Sequence, residues 1–286
     1  MVLLSSLKFP HKREHYHLHH NPEPLSASLH NFRSKISNFL NQISTGKKSE
    51  FISLEWFRNC FEVINIANKS FAKLVVEIKY PMKEWGGKAT EEYLNYTLNM
   101  LNLLNSITSS LSHLNQLKNS SFHALTLIEH SHSPEIKKIP NFKLKAPIRI
   151  IEEIRACSEK ESAIVEALIV LKRIGLLTLG LVISGLCGDR KPYLEIRKFV
   201  GGFEDSLVKS FDSRFSEEIV EIKVGVTEEV NCAAARVCNG GLGEGGNELK
   251  RRLENLIEGI EKMANNLFSE VLGSRNKLLD NIRFIV

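Results

Sequence analysis

The spacing of large apolar residues between positions 54 and 78 does most to limit how this chain can fold. Leu54, Phe57, Phe61, Ile64, Phe71, Val75 and Ile78 recur in alternating steps of three and four, and Asn68 fills the one remaining place in the series. This interval is the seam of an α-helix packed lengthwise on another helix, because 3.6 residues complete a turn and every seventh residue returns to the same side. Ser53 suits an N-cap and Pro81 ends the run, so a helix is expected over Ser53–Tyr80. Asn68 is the polar member of the seam. Two readings stay open for it: it fixes register or partner choice at a cost in stability, or it is buried and satisfied by a neighbour's backbone.

The same periodicity returns along the chain. From about Thr90 to His130, Leu94, Leu98, Leu101, Leu104, Ile107, Leu111 and Leu114 form a second stripe, with Glu91 and Glu92 at its start. The other faces of this segment are rich in Asn and Ser rather than charge, the kind of face that meets another helix or a partner. A third helix is expected from near Ile148 to Gly188, with a break around Ser158. A fourth, Phe203–Val224, carries Leu207, Phe211, Phe215, Ile219 and Ile222 on one side. A short piece near Thr227–Cys238 follows. The last helix starts near Glu248 with Leu249, Leu253, Leu256, Ile260, Met263 and Leu267, and continues through Val271, Leu272, Leu278, Leu279 and Ile282. Only Phe142–Ile151 alternates ambiguously.

Residues 1–48 read as an irregular, basic and His-rich segment with a flexible tail, containing one short helix around Phe32–Ile43. Residues 49–286 read as the bundle, with linkers near 131–147, where Pro134, Pro140 and Pro147 fall, and near 239–247. Pro192 and Gly201-Gly202 punctuate the region between the third and fourth helices. The fold class expected is all-α: a multi-helix bundle of long antiparallel helices. Each stripe must be covered, and burying one Leu or Phe contributes roughly 1.5–3 kcal/mol only when the helices pack side by side.

Charge narrows the partners. The net charge of +5 is not the clustered excess of a nucleic-acid binder, so no nucleic-acid partner is expected. Residues 1–50 hold seven Lys/Arg against three Asp/Glu, a surplus that suits a solvated tail or contact with an anionic membrane surface. The N-terminus is too short an apolar run for a secretory signal and only faintly resembles an organelle transit peptide. Ile174–Gly188 is free of charge over fifteen residues, where a membrane span needs about 20. It therefore reads as a buried core helix, with a membrane segment as the alternative. The five cysteines, at 60, 157, 187, 232 and 238, form no CxxC pair and indicate neither a zinc site nor a disulfide framework. A cytoplasmic location follows as the simplest expectation.

Candidate sites each have a plainer explanation. Gly241, Gly243 and Gly246 spell G-x-G-x-x-G, but a dinucleotide site needs a strand before them, and Cys232–Cys238 reads as helix. A hinge between helices is the better reading. His11, His15, His17, His19 and His20 lack a carboxylate or cysteine at companion ligand spacing. The acidic pairs Glu152-Glu153 and Glu217-Glu218 point about 100° apart on a helix and do not work as acid and base together. Cys60 has nothing nearby in sequence to activate its thiol. No H-E-x-x-H, G-x-S-x-G or phosphate loop occurs. No catalytic, cofactor or metal residue is therefore assigned, and neither an enzyme activity nor a small-molecule substrate is expected.

Several stretches together resemble a plant-specific group, the BYPASS family and its relatives. They are Phe51-Ile-Ser-Leu-Glu-Trp-Phe57, Tyr80-Pro-Met-Lys-Glu-Trp85, Glu91-Glu-Tyr-Leu94, Leu101-Asn-Leu-Leu-Asn105 and His123-Ala-Leu-Thr-Leu-Ile-Glu129, joined by the apolar Leu171–Gly188. The likeness is best over residues 50–130 and rests on the order of these stretches. The resemblance implies a non-enzymatic, largely helical protein of plant development. Founding members restrain a root-derived mobile signal that arrests shoot growth, and related members associate with a subunit of the exocyst. A regulatory or scaffold role with a protein partner is the first expectation, and a membrane-peripheral trafficking factor acting with exocyst is the second. Asn68 and Trp85 are the residues singled out for partner contact or register.

Overall fold

The computed structural model describes residues 23–43, 53–127, 158–201, 203–221, 225–226, 229 and 244–283. Among them are seven α-helices and no strand: α1 (Glu23–Gln42), α2 (Leu54–Glu77), α3 (Gly87–Leu127), α4 (Glu159–Cys187), α5 (Lys191–Val200), α6 (Ser206–Glu221) and α7 (Glu244–Arg283). A single 3-10 turn, Met82–Glu84, joins α2 to α3. The chain is an all-α, multi-helix bundle.

The seam on α2 is buried as its spacing requires. Phe57, Phe61, Ile64, Asn68, Phe71, Val75 and Ile78 are all inside, and Leu54, at the end, packs under Gly259 of α7. Ser53 caps the helix, its hydroxyl accepting from the Trp56 N–H. At the other end Lys79 takes a left-handed conformation (φ 51°). The Lys79 N–H donates to the Val76 carbonyl and the Tyr80 N–H to the Val75 carbonyl, a closing pattern that usually employs glycine. Pro81 then prevents the helix from continuing.

Four helices enclose the main core. α4 lies against α2 and α3, and α7 lies against α3 and α2. The side-chain pairings set the directions. Gly185 meets Trp56 and Phe57, while Lys160 reaches the Lys79 carbonyl, so α2 and α4 are antiparallel. Lys118 meets Glu254 and Arg275 meets Leu94, so α3 and α7 are antiparallel. Glu161 sits over Gly86, Lys172 meets Glu92 and Gly175 meets Tyr96 and Met100, so α3 and α4 run parallel. The bundle is therefore not antiparallel throughout.

α4 is the central element. An eighteen-residue window of it is apolar enough to cross a membrane, and 94% of that window is buried within the protein. Ser158 caps it by accepting from the Glu161 N–H. Three glycines let its neighbours approach. Steps of five residues turn a helix by about 140°, so Gly175, Gly180 and Gly185 face three different directions. A β-carbon at Gly175 would sit 3.3 Å from Met100 and Tyr96 of α3, one at Gly180 3.0 Å from Ile196 of α5, and one at Gly185 2.8 Å from Trp56 of α2.

Several sequence expectations change. The helix expected around Phe32–Ile43 begins already at Glu23, and it packs Phe32, Ile36 and Leu40 into the core. Residue 48 is thus not the boundary of an irregular segment: Glu23–Gln42 belongs to the bundle. α5 lies in a stretch read as punctuation. In both helices a proline stands in the first turn, Pro24 and Pro192, where its missing N–H costs nothing. Leu98 and Leu272, placed on apolar stripes, are each 38% exposed. On α3 the outermost positions fall seven apart at Glu91, Leu98, Asn105, Ser112 and Asn119, and Leu98 is one of them. Apart from Glu229, which is helical, the expected helix near Thr227–Cys238 lies outside the described residues, as do most of the glycine run, the histidine cluster, Glu152-Glu153, Phe142–Ile151 and the side chains of Glu217-Glu218. Glu244, Gly245 and Gly246 form the first turn of α7.

Candidate functional site

A helix that is apolar nearly all round tolerates a charge only if the charge finds a partner inside. Lys172 lies in the middle of α4 between Leu171 and Arg173, and its side chain is 3% exposed. Its partner is Glu92 on α3, 7% exposed, with Nζ 2.5 Å from Oε2. Lys172 lies just before the charge-free Ile174–Gly188, yet it is part of the interior. The signal was present, since seven of the eight residues of Ile164–Leu171 before it are apolar, Glu166 being the exception.

On the α2 side of the same core, the Tyr96 hydroxyl donates to Asn68 Oδ1 at 2.9 Å. The partner of Asn68 is thus a side chain on α3, not a neighbour's backbone. The Nδ2 of Asn68 is buried and has no hydrogen-bond partner among the described residues. Burial pushes the Tyr96 phenol well above its usual range. Tyr93, three residues before Tyr96 on the same helix, is also enclosed, and burial pushes its phenol up to about 12.

Trp85 closes this end of the bundle. It is 8% exposed, its ring N–H donates to the Tyr80 carbonyl at 3.0 Å, and its ring meets Phe71 and Tyr93 edge-on. Asn68, Tyr96, Tyr93, Trp85 and Phe71 form one continuous interior cluster. The two residues singled out in the sequence are thus brought to one place, and both face inward.

A second polar cluster ties α5 to α6. The Arg197 guanidinium makes two hydrogen bonds to Asp212, at 2.7 and 2.8 Å, and the Tyr193 hydroxyl adds a third at 2.8 Å. Burial alone would raise the Asp212 carboxyl, but the hydrogen bonds from Arg197 and Tyr193 outweigh it and hold the group below its ordinary value. The Tyr193 phenol is raised, by burial first and by the Asp212 charge second. Arg197 also lies 4.6 Å over the Phe203 ring. On the other flank Arg33 joins α1 to Asp205 at 2.6 Å and Glu166 at 2.9 Å. Asp205 meanwhile accepts from the N–H groups of Leu207 and Val208, capping α6. None of these pairings was read from the sequence, because their members lie on different helices.

Chemically, these groups are occupied with one another. The buried tyrosines keep their protons, and burial pushes the Cys187 thiol up, away from the reactive thiolate. Cys60 is buried. Among the described residues no three His, Cys, Asp or Glu side chains gather where a metal ion would be held. What reaches solvent with a distinctive chemistry is the outer side of α3. From Tyr93 to Leu117 it has no Asp, Glu, Lys or Arg, and its exposed positions are Leu98, Asn105, Ser109, Ser112 and Gln116. Set against models of known protein families, against curated proteins and against solved structures, the chain matches none.

Proposed function

We propose that this chain is a non-enzymatic helical regulatory or scaffold protein that binds another protein through the outer side of α3, in plant development as the resemblance to the BYPASS family implies. The observation that supports the reading is the uncharged strip from Leu98 to Gln116. Interface centres are depleted of charge, because stripping water from a charged group costs far more than stripping it from an amide or hydroxyl. Leu98 supplies the apolar anchor, and a partner helix laid along α3 would meet Asn105 and Ser112 at two-turn intervals along the same line. A pull-down from plant tissue compares the intact chain with Leu98→Glu, which sits at the surface and leaves the core untouched. A reproducible protein partner lost from the variant supports the reading. No reproducible partner, or one indifferent to Leu98→Glu, ends it.

The exocyst-linked, membrane-peripheral alternative had two supports. With 94% of the apolar window of α4 covered by protein, it now rests on the basic residues near the N-terminus. Flotation with vesicles containing anionic lipid decides it: a chain that stays at the bottom has no such role.

A further inference from the structure

The triplet Asn-x-Ser/Thr is the acceptor for an N-linked glycan, and a glycan is bulky and hydrated, so acceptors that are used lie at surfaces. This chain has three such triplets: Asn68-Lys-Ser70, Asn95-Tyr-Thr97 and Asn119-Ser-Ser121. Asn119 is exposed. Asn95 is half-buried beside the buried Tyr96 and Thr97 of α3, and Asn68 lies where α2 faces the core. Asn68 is 6% and Ser70 5% exposed, and the Asn68 Nδ2 that would carry the sugar is enclosed. Its Oδ1 is engaged by Tyr96, the middle residue of the second triplet. Thr97 is buried as well, its hydroxyl donating to the Tyr93 carbonyl at 2.9 Å.

We infer that this chain reaches its fold only where N-glycan transfer does not operate, on the cytosolic side of a membrane or in a compartment without the transferase. The transfer joins the Asn Nδ2 to the anomeric carbon of an oligosaccharide carried on a lipid diphosphate. The amide gives up one proton and the lipid diphosphate departs. It acts on chain entering the secretory lumen, before α2 and α3 have closed over Asn68. A sugar fixed there occupies the space that Tyr96 needs, and α2 and α3 cannot then pack. The inference stands independently of the proposed function, since it depends on the interior and not on the outer side of α3.

The test directs the full chain into the secretory lumen of a eukaryotic cell by an added signal peptide, beside the same chain made in the cytosol. Site occupancy is read by mass spectrometry and folding by resistance to protease. The expected result is that molecules glycosylated at Asn68 are confined to the protease-sensitive fraction. The variant Ser70→Ala with Asn95→Gln keeps the Asn68 amide but removes both of these acceptor triplets, and it recovers the resistance of the cytosolic chain. Three results overturn the inference: a resistant fraction carrying the Asn68 glycan, a lumenal wild-type chain that folds with Asn68 unmodified, or a lumenal double variant that remains sensitive.

Discussion

The Lys172 ammonium lies 2.5 Å from a Glu92 carboxylate oxygen, and both side chains are less than a tenth exposed. The pair bridges α3 and α4, which run parallel. A buried pair like this often contributes little compared with apolar residues of similar volume, whereas stranding one charge without the other is costly. Lys172→Met is expected to destabilise the protein by about 3–5 kcal/mol, and Lys172→Met with Glu92→Leu to return it to wild-type stability or beyond. Urea unfolding of the single and double variants checks this. Additive losses in the double variant would show that the two residues do not act as a pair.

Asn68 and Tyr96 pose the same question for neutral groups. Asn68→Ala leaves the Tyr96 hydroxyl buried without its acceptor and should cost about 1–3 kcal/mol. Asn68→Leu combined with Tyr96→Phe removes both polar groups, including the unpartnered Nδ2, and is expected to be neutral or stabilising. A thermal melt showing the combined variant weaker than Asn68→Ala would mean that the polar pair is worth more than its apolar replacement.

Lys79 closes α2 with φ at 51°. Only glycine takes that conformation without strain, so Lys79→Gly is expected to raise stability by about 0.5–1 kcal/mol, although the lysine side chain is exposed and solvated. Denaturant midpoints of the two proteins give the comparison, and a loss of stability would show that the lysine side chain contributes more than the backbone strain costs.

Acid should act through Asp212. Its carboxyl is held below the ordinary value in the folded protein, so its contribution is fully present above the unfolded value of about 3.9 and is lost as pH falls through the folded value. Asp212→Asn should flatten the fall in stability below about pH 4 relative to wild type. A variant whose acid unfolding curve overlays the wild type would remove Asp212 from the account.

Alkali should act through the buried phenols. Tyr93 is pushed up to about 12, and Tyr96 and Tyr193 are raised further. The unfolded chain releases these protons near pH 10, so the folded state, which retains them, loses stability as pH climbs above about 10. Phenolate absorbance from the buried tyrosines is expected to appear together with the loss of helical circular dichroism. Phenolate formation complete before unfolding would mean that these rings are accessible.

Periodicity made the long helices legible because a seam at steps of three and four reports burial directly. It worked for Phe57–Ile78 and for Leu253–Leu267. It failed at α5, where the first-turn Pro192 resembled a breaker, and it placed the start of α1 at Phe32 rather than Glu23. It also failed at Leu98, which kept the interval but lay on the outward line of Glu91, Asn105 and Ser112. Asn68 was recognisable as a polar member of a seam, and its partner was not, because Tyr96 is far from it along the chain and close only after α2 and α3 fold.

The sequence by itself determined that this chain must be helical and that its helices must cover one another, since local spacing decides which side of a helix is apolar. Only the tertiary structure decided which helix covers which. It set α3 and α4 parallel, drew Lys172 into the core and paired it with Glu92, and left the uncharged side of α3 in water. Contacts between distant segments depend on how whole faces and charges match in space, and spacing along one helix carries no record of the partner it meets.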